Sequence, residues 1–412
     1  MSRHRSLLTI GLGLSLALAG CDDGPPEGCD RWVSPGGDDR TTVQTMFEEA
    51  EDDEVLCLTP GTYRFDDGVS IAEKTGITIR GTGGRREDVV LDFSTMGTGN
   101  SGLNASSMTG FVLENLQVLD AAANGVFITR STDVTIRNVS AGWRESVPES
   151  ERGRYALYPV QSTRVIVEDS EAFGSVDAGI YVGQTERCIV RNSLAHRNVA
   201  GIEIENSTDC EVHGNVAREN TAGILVFELP GLERRGSRTL VHDNEIIENN
   251  VPNFDPDPSS IVSKVPAGIG VMILAANDVE VRDNLIRGNS SLGVAVVSYE
   301  VPLALDVPAP MDEGFDAYPD RIWVHDNIYE DNGGMPDGVL NLITNLQEPP
   351  GETLEDILWD GALGEGQDMP SDALCIDESG TYRMASIADL FATQSTDRRP
   401  VTCEGMAIDP MF

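Results

Sequence analysis

Two glutamates with the spacing of a catalytic pair lie in the segment Ala200-Gly-Ile-Glu-Ile-Glu. Because side chains alternate along a strand, Glu203 and Glu205 share one face, with Cβ atoms roughly 6–7 Å apart at a rise of ~3.3 Å per residue. This separation approaches the ~6.5–9.5 Å between the two carboxyl groups of an inverting glycosidase, so we predict Glu203 and Glu205 as catalytic residues. The alternative is a solvated strand face, because the chain has 68 Asp and Glu residues.

Aromatic side chains occupy the same outward positions in neighbouring segments. A sugar ring stacks on an aromatic face, and its hydroxyls donate hydrogen bonds to nearby carboxylates. Three insertions, 230–237, 251–265 and 301–320, project from the same side of the repeat structure. We expect them to flank the aromatic strip and form a groove with it. The predicted ligand-binding residues are Phe127, Tyr158, Tyr181 and Phe227.

A second outward row is rich in arginine and histidine. It could attract polyuronate carboxylates, and its stacked pair His213 and His242 could hold a metal ion. Neighbouring aspartates favour the simpler interpretation, charge pairing along a solvated edge, so we predict no metal site. A Ca²⁺ site in the loop 253–258 stays open as an alternative, and no other cofactor is predicted. The row consists of Arg137, Arg191, His213, His242, Arg282 and His325, interrupted by Glu168.

An internal repeat positions all of these residues. Segments beginning at Ser162, Thr185 and Ser207 align, with starts 23 and 22 residues apart, and weaker copies extend over 75–332. Short β-branched strands at this period, without a helical pattern, predict an all-β parallel β-helix, a single-stranded solenoid of about nine coils. Its interior should hold two ladders. The first is Val126, Leu157, Ile180, Ile202, Ile224, Ile269 and Val294, and the second is Ile128, Val182, Ile204, Val226, Val271 and Val296.

Both ends of the solenoid should be capped, because exposed strand edges and apolar ends invite association. We predict a short amphipathic helix over 42–51 and an irregular C-terminal cap. Asparagines after the strands, such as Asn138, Asn192 and Asn244, should form an amide ladder at the turns. The predicted divisions are a leader at 1–20, a linker at 21–40, the β-helix with its N-terminal cap at 41–345, and the C-terminal capping region at 346–412.

The N-terminus predicts export. Arg3 and Arg5 precede an apolar run over 7–18, which has the form of a signal peptide and is too short to span a bilayer. The run ends in Leu18-Ala-Gly-Cys, which resembles the lipobox of bacterial lipoproteins, so we predict lipidation at Cys21 and attachment to the membrane through this anchor. An ordinary signal peptide is the alternative. We expect an extracytoplasmic protein, at the outer membrane or cell surface rather than the inner membrane.

Six cysteines remain after Cys21, an even number that favours disulfides outside the cytoplasm. Sequence proximity, among about fifteen connectivities, favours three local pairs. The middle pair would occupy one interior position on adjacent coils, where two stacked thiols are the alternative to a bond. The pairs are Cys29 with Cys57, Cys188 with Cys210, and Cys375 with Cys403.

The charge of the chain excludes one class of partner. With 29 Lys and Arg against 68 Asp and Glu, the formal net charge is −39. Such a protein repels the phosphates of DNA and RNA, so we exclude nucleic acid as a partner.

Several segments resemble one family of exported bacterial proteins built from right-handed parallel β-helix repeats. They are Ala156-Leu-Tyr-Pro-Val, Asp177-Ala-Gly-Ile-Tyr-Val-Gly-Gln, Asn198-Val-Ala-Gly-Ile-Glu-Ile-Glu-Asn and Thr221-Ala-Gly-Ile-Leu-Val-Phe-Glu. The resemblance implies a right-handed helix and export, often as a lipoprotein encoded beside a putative haem-c protein, but no reaction. The coils are more distantly similar to mannuronan epimerases and pectin-degrading enzymes, although the epimerases' Asp-Pro-His-Asp motif is missing.

Two functions follow as hypotheses. The first is binding of a carbohydrate on the outer strand face, with processing by a polysaccharide lyase, epimerase or glycoside hydrolase reaction. The second is a non-enzymatic surface scaffold that docks an exported partner such as the haem-c protein.

Overall fold

The computed structural model describes residues 25–97, 99–307, 314–347 and 350–411. The predicted leader and Cys21 lie outside these residues. Among the described residues, no helix combines the length and apolar character needed to span a bilayer. The α-helices are Asp39–Glu49, Glu300–Ala304, Gly338–Asn345 and Pro370–Ala373, and the 3₁₀ turns are Arg86–Asp88, Glu149–Glu151, Val262–Lys264, Ile387–Asp389 and Arg399–Val401.

The strands stack in parallel on three sides of a coil. We call the first side the Gly-led sheet, because most of its long strands have glycine as the second residue; its last strand alone pairs antiparallel. Its strands are Val69–Ala72, Leu103–Ser106, Asn124–Thr129, Tyr155–Val160, Ala178–Gly183, Ala200–Glu205, Ala222–Phe227, Ile269–Leu274, Leu292–Val297, Ile357–Trp359, Tyr382–Ala385 and Gln394–Ser395.

The second side, which we call the charged sheet, carries the arginine and histidine row. Two of its strands, Thr109–Leu119 and Thr132–Gly142, turn the corner and continue into the third side, the short-strand sheet. The other strands of the charged sheet are Arg31–Val33, Val55–Leu58, Thr78–Gly81, Thr163–Glu168, Glu186–Arg191, Thr208–His213, Ser237–His242, Asn277–Arg282, Asp320–His325 and Leu374–Asp377. Those of the short-strand sheet are Gly61–Arg64, Val89–Asp92, Glu171–Phe173, Leu194–His196, Val216–Arg218, Glu245–Ile247, Leu285–Arg287 and Ile328–Glu330.

This parallel stacking of one coil on the next confirms the predicted all-β parallel β-helix. Alternating β-branched residues fill the interior, and they align as predicted as far as Ile224. In the strand Ile269–Leu274, directly after the insertion at 251–265, the predicted register is wrong by two residues, because Ile224 pairs with Val271 and Val226 with Ile273. Ile269 instead follows Ala222 and lies at the start of its strand. Val294 and Val296 on the next strand lie in their predicted rows.

The N-terminal cap is the helix Asp39–Glu49, which begins three residues before the predicted start. Asp38 caps it by accepting a hydrogen bond from the backbone N–H of Thr41 at 3.0 Å. Val43, Met46 and Phe47 are buried on one face of the helix, against the first coils. The apolar end of the solenoid is thereby covered.

The region after residue 345 does more than cover the C-terminal end. Leu374–Asp377 pairs with Asp320–His325, and Ile357–Trp359 pairs with Leu292–Val297, both in parallel. The solenoid therefore gains further strands on two of its sides before it ends in the antiparallel strand Gln394–Ser395.

All three predicted disulfides are present: Cys29–Cys57, Cys188–Cys210 and Cys375–Cys403. Cys188 and Cys210 are direct register partners on adjacent strands, with Cα atoms 4.5 Å apart, and both are buried. Stacking two interior thiols on neighbouring coils brought them within bonding reach.

Two asparagine ladders line the corners between sheets. In each, a side-chain amide donates to the amide oxygen of the next coil and to a backbone carbonyl, while its own oxygen accepts the backbone N–H of the coil before. The first ladder is Asn215, Asn244, Asn284 and Asn327, and the second is Asn198, Asn220, Asn249, Asn289 and Asn332.

The prediction that Asn138 and Asn192 belong to the same ladder as Asn244 is wrong by one residue, although Asn138 does form an amide–amide bond by donating to Asn115 Oδ1 at 2.9 Å. Both have left-handed backbone angles, with φ of +50° and +51°, at a corner position that Gly214 and Asp243 fill in later coils. Small polar residues and glycine tolerate this conformation best. Ser193, not Asn192, continues the ladder, and its N–H donates to Asn215 Oδ1 at 3.0 Å.

We predict that Asn244→Ala destabilises the protein strongly for a polar substitution. It removes the acceptor of the buried N–H of Asn215 and one donor to the carbonyl of Val212, and a buried group left without a partner costs about 1–3 kcal/mol. The measurement is the urea midpoint of the purified protein. Asn345→Ala, at an exposed helix end, is the control and should leave the midpoint nearly unchanged; equal effects of the two changes would contradict the ladder's role.

Candidate functional site

The outer face of the Gly-led sheet brings most of the predicted site residues together. Phe127 pairs with Tyr158, Tyr181 with Glu203, and Glu203 with Leu225 along consecutive strands. One outward position further on, Gly183, Glu205 and Phe227 follow one another in the same way. Rings on earlier coils therefore adjoin carboxylates on later ones.

Four rings form a continuous aromatic cluster at the N-terminal side of the carboxylates. The Tyr158 ring centroid lies 5.0 Å from Phe127 and 4.9 Å from Tyr181, while Tyr155 lies 4.4 Å from Tyr158 and 4.7 Å from Tyr181. Phe127, Tyr155 and Tyr158 are half-buried, and Tyr181 is buried. Solvent therefore reaches the cluster on the side away from the glutamates.

Sequence reasoning missed Tyr155. Alternation along the strand predicts that Tyr155 points inward, because it lies two positions before the interior Leu157. Tyr155 begins its strand, where the chain is still turning the corner, and its ring lies with the outward tyrosines. The adjoining Arg154, whose guanidinium carbon lies 5.9 Å from the Tyr155 ring centroid, was the available signal.

Three carboxyl groups are buried beside these rings. Glu203 is 1% exposed, and neither of its carboxyl oxygens has a hydrogen-bond partner among the described residues. Glu205 is 9% exposed and accepts a hydrogen bond from the Tyr181 hydroxyl at 2.5 Å. Asp177, which was not predicted, is 2% exposed and contacts Arg154 through Oδ2, at 2.6 Å from Nη2 and 3.1 Å from Nε. The glutamates are therefore not a solvated strand face.

Burial sets the protonation of this cluster. It raises the pKa of Glu203 well above 4.5, and the neighbouring charges of Asp177 and Glu205 raise it further. Burial also raises the pKa of Glu205 to about 7, against the lowering effect of the Tyr181 hydrogen bond. The pKa of Asp177 rises to about 6 through burial, opposed by Arg154. Near neutral pH, Glu203 is a proton donor and Glu205 is poised between donor and acceptor.

A glycine makes the contact between Tyr181 and Glu205 feasible. A Cβ atom at Gly183 would lie 2.3 Å from the Tyr181 ring and hydroxyl, so the ring folds directly over this residue. Gly183 is also the register partner of Glu205. The absent side chain thus leaves the space through which the tyrosine hydroxyl reaches the glutamate of the next coil.

The insertion at 251–265 covers one side of the site. Arg154, already paired with Asp177, also approaches Asp257 Oδ2 at 3.5 Å and Ser260 Oγ at 3.3 Å. The insertion at 230–237 reaches the other edge, where the N–H of Glu233 donates to Gln184 Oε1 at 3.2 Å. The insertions therefore pack onto the strip instead of standing apart as walls.

Phe227, a predicted ligand-binding residue, packs under this cover and is 2% exposed. It lines a small apolar cavity of about 50 Å³ together with Ile261 and Val265 of the insertion and Val301 and Leu305 beyond it. Its present contacts are thus with its own chain, unlike those of the half-buried Phe127 and Tyr158.

The geometry of the carboxylates disfavours a metal centre here. Among the described residues, Asp177, Glu203 and Glu205 do not place one oxygen each within 4.8 Å of the other two. In the loop 253–258, Asn253 and Asp255 accept backbone hydrogen bonds at 3.0 and 2.9 Å, as turn-forming residues do. Calcium binding by that loop stays a prediction.

The charged row on the other sheet begins with simple ion pairing, as the sequence favoured. Glu168 accepts from Arg137 Nε and Arg191 Nη2, each at 2.5 Å, so one buried carboxylate joins two arginines on adjacent coils. These contacts lower the pKa of Glu168, although burial opposes them. Glu168 thus resembles Glu203 in burial and differs from it in having partners.

Comparison with known proteins concerns the fold. A family model described as right-handed beta helix region matches residues 75–231 and 153–306. No curated protein matches the sequence.

Among solved structures, the mannuronan C-5 epimerase AlgE4 A-module of Azotobacter vinelandii is similar over 85% of this chain and 95% of its own, with 17% identity and a TM-score of 0.48. An alginate lyase from Paenibacillus sp. is similar over 75% of this chain and 98% of its own, with 14% identity and a TM-score of 0.42. Pectate lyase Pel9A is similar over 80% of this chain and 74% of its own, with 14% identity and a TM-score of 0.37. With TM-scores below 0.5, these similarities carry no argument about function.

We predict that Glu203→Gln stabilises the protein in mild alkali. A carboxyl whose folded-state pKa is raised adds stability below its unfolded pKa near 4.5 and loses that contribution as pH rises through the folded value. Glutamine is neutral throughout, so the variant should exceed the wild type by more than about 1 kcal/mol near pH 8, since one pKa unit corresponds to ~1.4 kcal/mol. Near pH 5 the two proteins should be similar.

Urea unfolding at both pH values measures this difference. Glu186→Gln is the matched control, because the Glu186 side chain is 51% exposed and its replacement should change stability little at either pH. A Glu203→Gln variant that is less stable than the wild type at both pH values would show that the carboxyl group has a structural partner.

Proposed function

The chain belongs to the right-handed beta-helix family, and on this premise we propose that it binds a carbohydrate on the Gly-led sheet and hydrolyses it with Glu203 and Glu205. The observation that carries the proposal is the Glu203 carboxyl group, which is buried beside two other acids without a hydrogen-bond partner. Leaving such a group unpaired costs about 1–3 kcal/mol or more, and a ligand hydroxyl or glycosidic oxygen would supply the missing partner. The cluster of tyrosines next to it offers the stacking face that a sugar needs.

The charges of the site favour a neutral or amino sugar. A polyuronate would bring its own carboxylates against Asp177, Glu203 and Glu205, and the adjoining Arg154 is already paired with Asp177. Lyase and epimerase reactions on uronates require a group that neutralises the substrate carboxylate. Of the reactions considered, glycoside hydrolysis therefore suits the site best.

The two glutamates then have different roles. Glu203, whose pKa is raised well above its usual value, donates a proton to the glycosidic oxygen as that bond breaks. Glu205, whose pKa is about 7, takes a proton from a water molecule whose oxygen bonds to the anomeric carbon. Tyr181 holds Glu205 by its hydrogen bond. The strand spacing of roughly 6–7 Å between their Cβ atoms suits inversion at the anomeric carbon.

Access would begin at the half-buried rings. A sugar can stack on Phe127 and Tyr158, and its next unit, about one coil further along, approaches Tyr181 and Glu203. The contacts of Arg154 with Asp257 and Ser260 are the ones that would have to open, since they fasten the insertion over the carboxylates.

Glycan-array binding near pH 6 tests the first half of the proposal. We expect selective binding of neutral or amino-sugar oligosaccharides, and a loss of at least tenfold in affinity for Tyr158→Ala because its stacking face is removed. Trp32→Ala is the control: Trp32 is 41% exposed on the charged sheet and should not affect binding. No binding by the wild type, or equal losses in both variants, would overturn the proposal.

A reducing-end assay on the glycans that bind tests the second half. Glu203→Gln should retain binding and lose at least a hundredfold in turnover, because the amide cannot supply the proton. Normal turnover by this variant would exclude Glu203 as the acid, and binding without turnover by the wild type would reduce the function to recognition.

We further propose that the protein works outside the cytoplasm, anchored by a lipid at Cys21. Support comes from the lipobox-like Leu18-Ala-Gly-Cys and from three disulfides, which persist in oxidising compartments. In detergent phase partitioning of the protein expressed in a bacterial host, the wild type should enter the detergent phase and Cys21→Ser the aqueous phase. Aqueous partitioning of both would contradict the anchor.

A further inference from the structure

The outer face of the charged sheet contains a cluster of two histidines and a glutamate that the carbohydrate site does not use. Glu211 and His213 lie on the strand Thr208–His213, and His242 lies on Ser237–His242, where it is the register partner of His213. One potential ligand atom from each residue lies within 4.8 Å of those of the other two. Glu211 and His242 are buried, and His213 is half-buried.

The contacts within the cluster converge on one carboxyl oxygen. Glu211 Oε1 lies 2.9 Å from His242 Nε2 and 4.0 Å from His213 Nε2. The two imidazole rings stack almost in parallel, with centroids 5.1 Å apart and an angle of 6° between their planes. One nitrogen of each ring and one carboxylate oxygen are therefore close together, although the stacked rings direct their nitrogen lone pairs along nearly parallel lines.

The His242 ring lies between two carboxylates, Glu211 and Asp243. Its other nitrogen, Nδ1, lies 2.6 Å from Asp243 Oδ2, so both ring nitrogens face carboxylate oxygens. A neutral imidazole donates only one hydrogen bond, which leaves one of these contacts to be filled by a second proton or by a metal ion. A carboxylate behind a histidine is also the arrangement that orients histidine ligands in metal sites.

The second oxygen of Glu211 is already occupied. The backbone N–H of Met411, in the C-terminal segment, donates to Glu211 Oε2 at 2.8 Å. This contact fixes the carboxylate and leaves Oε1 directed at the histidines. A single oxygen of Glu211 is thus available as a ligand.

The next two strands of the same sheet, Asn277–Arg282 and Asp320–His325, provide an internal comparison. His325 Nε2 lies 3.1 Å from Glu280 Oε1, and its Nδ1 lies 2.8 Å from Asp326 Oδ2, which repeats the arrangement around His242. The N–H of Ile408 donates to Glu280 Oε2, as that of Met411 does to Glu211. The two arrangements differ in the register partner of the histidine: His242 pairs with His213, whereas His325 pairs with Arg282. The arginine supplies a fixed cation to Glu280, with Nε at 3.1 Å, and His213 supplies a ligand instead.

We propose that Glu211, His213 and His242 bind a divalent first-row transition ion, of which Zn²⁺ is the one to test. Two imidazoles with one carboxylate suit Zn²⁺, whereas Ca²⁺ and Mg²⁺ prefer oxygen ligands. Tetrahedral zinc holds its ligand atoms roughly 3.3 Å apart, given metal–ligand bonds of ~2.0–2.1 Å. Zinc binding therefore requires the half-buried His213 ring to turn toward the ion as well as to close its 4.0 Å gap to Glu211. The ion replaces the proton on His242 Nε2, which leaves to solvent.

Titration calorimetry of the purified, chelator-treated protein with zinc chloride tests the site, with no histidine tag present. We expect one Zn²⁺ per chain with a dissociation constant in the micromolar range or tighter, and no displacement of the bound Zn²⁺ by calcium chloride. His213→Arg should weaken zinc binding at least a hundredfold. This variant copies the arrangement on the next two strands, where Arg282 already occupies the equivalent position, so its fold should be retained.

His325→Ala is the matched control. It removes the same kind of Glu–His–Asp contact without touching the three proposed ligands, so its zinc affinity should equal that of the wild type. Cobalt substitution gives an independent readout, because Co²⁺ with these three protein ligands produces visible absorption bands that His213→Arg should abolish. No saturable zinc binding, or equal losses in His325→Ala and His213→Arg, would overturn the proposal.

Discussion

Parallel hydrogen bonding of each coil to the next is the constraint on which the rest of the molecule depends. It holds successive strands ~4.8 Å apart and places equivalent positions of each repeat directly beside one another. Side chains that can share such a row are stable there: valine and isoleucine in the interior, two cysteines that bond, and asparagines whose amides satisfy each other and the corner backbone. A residue's neighbours are thus set by its counterparts 22 to 63 positions away, as the register pairs Cys188 with Cys210 and Val294 with Ile357 show.

Because of this register, the charges next to an outward side chain are those of the residues at the same position on the neighbouring coils. On the charged sheet, Arg137, Glu168 and Arg191 follow one another on consecutive strands. The buried carboxylate of Glu168 is therefore paired with an arginine on each side. On the Gly-led sheet, the row through Tyr181 and Glu203 continues into Leu225, so no partner of opposite charge follows the glutamate. The insertions then remove solvent from that row. Together these two features raise the pKa of Glu203 and make it the acid of the proposed reaction.

The sequence was informative wherever the repeat was unbroken. The spacing of Ser162, Thr185 and Ser207 was enough to predict the coil, its inward and outward faces and the Cys188–Cys210 bond. The register failed at Ile269, because the insertion at 251–265 interrupts the count before that strand. The burial of Glu203 could not be predicted, since it depends on segments distant in sequence that pack over the strand. Tyr155 was missed because alternation, which assigns faces within a strand, does not hold where the chain turns a corner.

The contrast between Glu168 and Glu203 argues that the buried acid cluster at the proposed carbohydrate site is more than a consequence of packing. Both are buried glutamates on outward positions of the same solenoid, and the protein provides two arginines for one and no hydrogen-bond partner for the other among the described residues. An apolar residue such as Leu225 fills the next position of the same row without any desolvation cost, so packing alone gives no reason for an acid at 203. The glycine at 183 and the tyrosine ring folded over it together direct a hydroxyl at Glu205. Buried, unpaired carboxyl groups reduce stability, and acids with raised pKa values beside a hydroxyl group are typical of sites of acid–base chemistry.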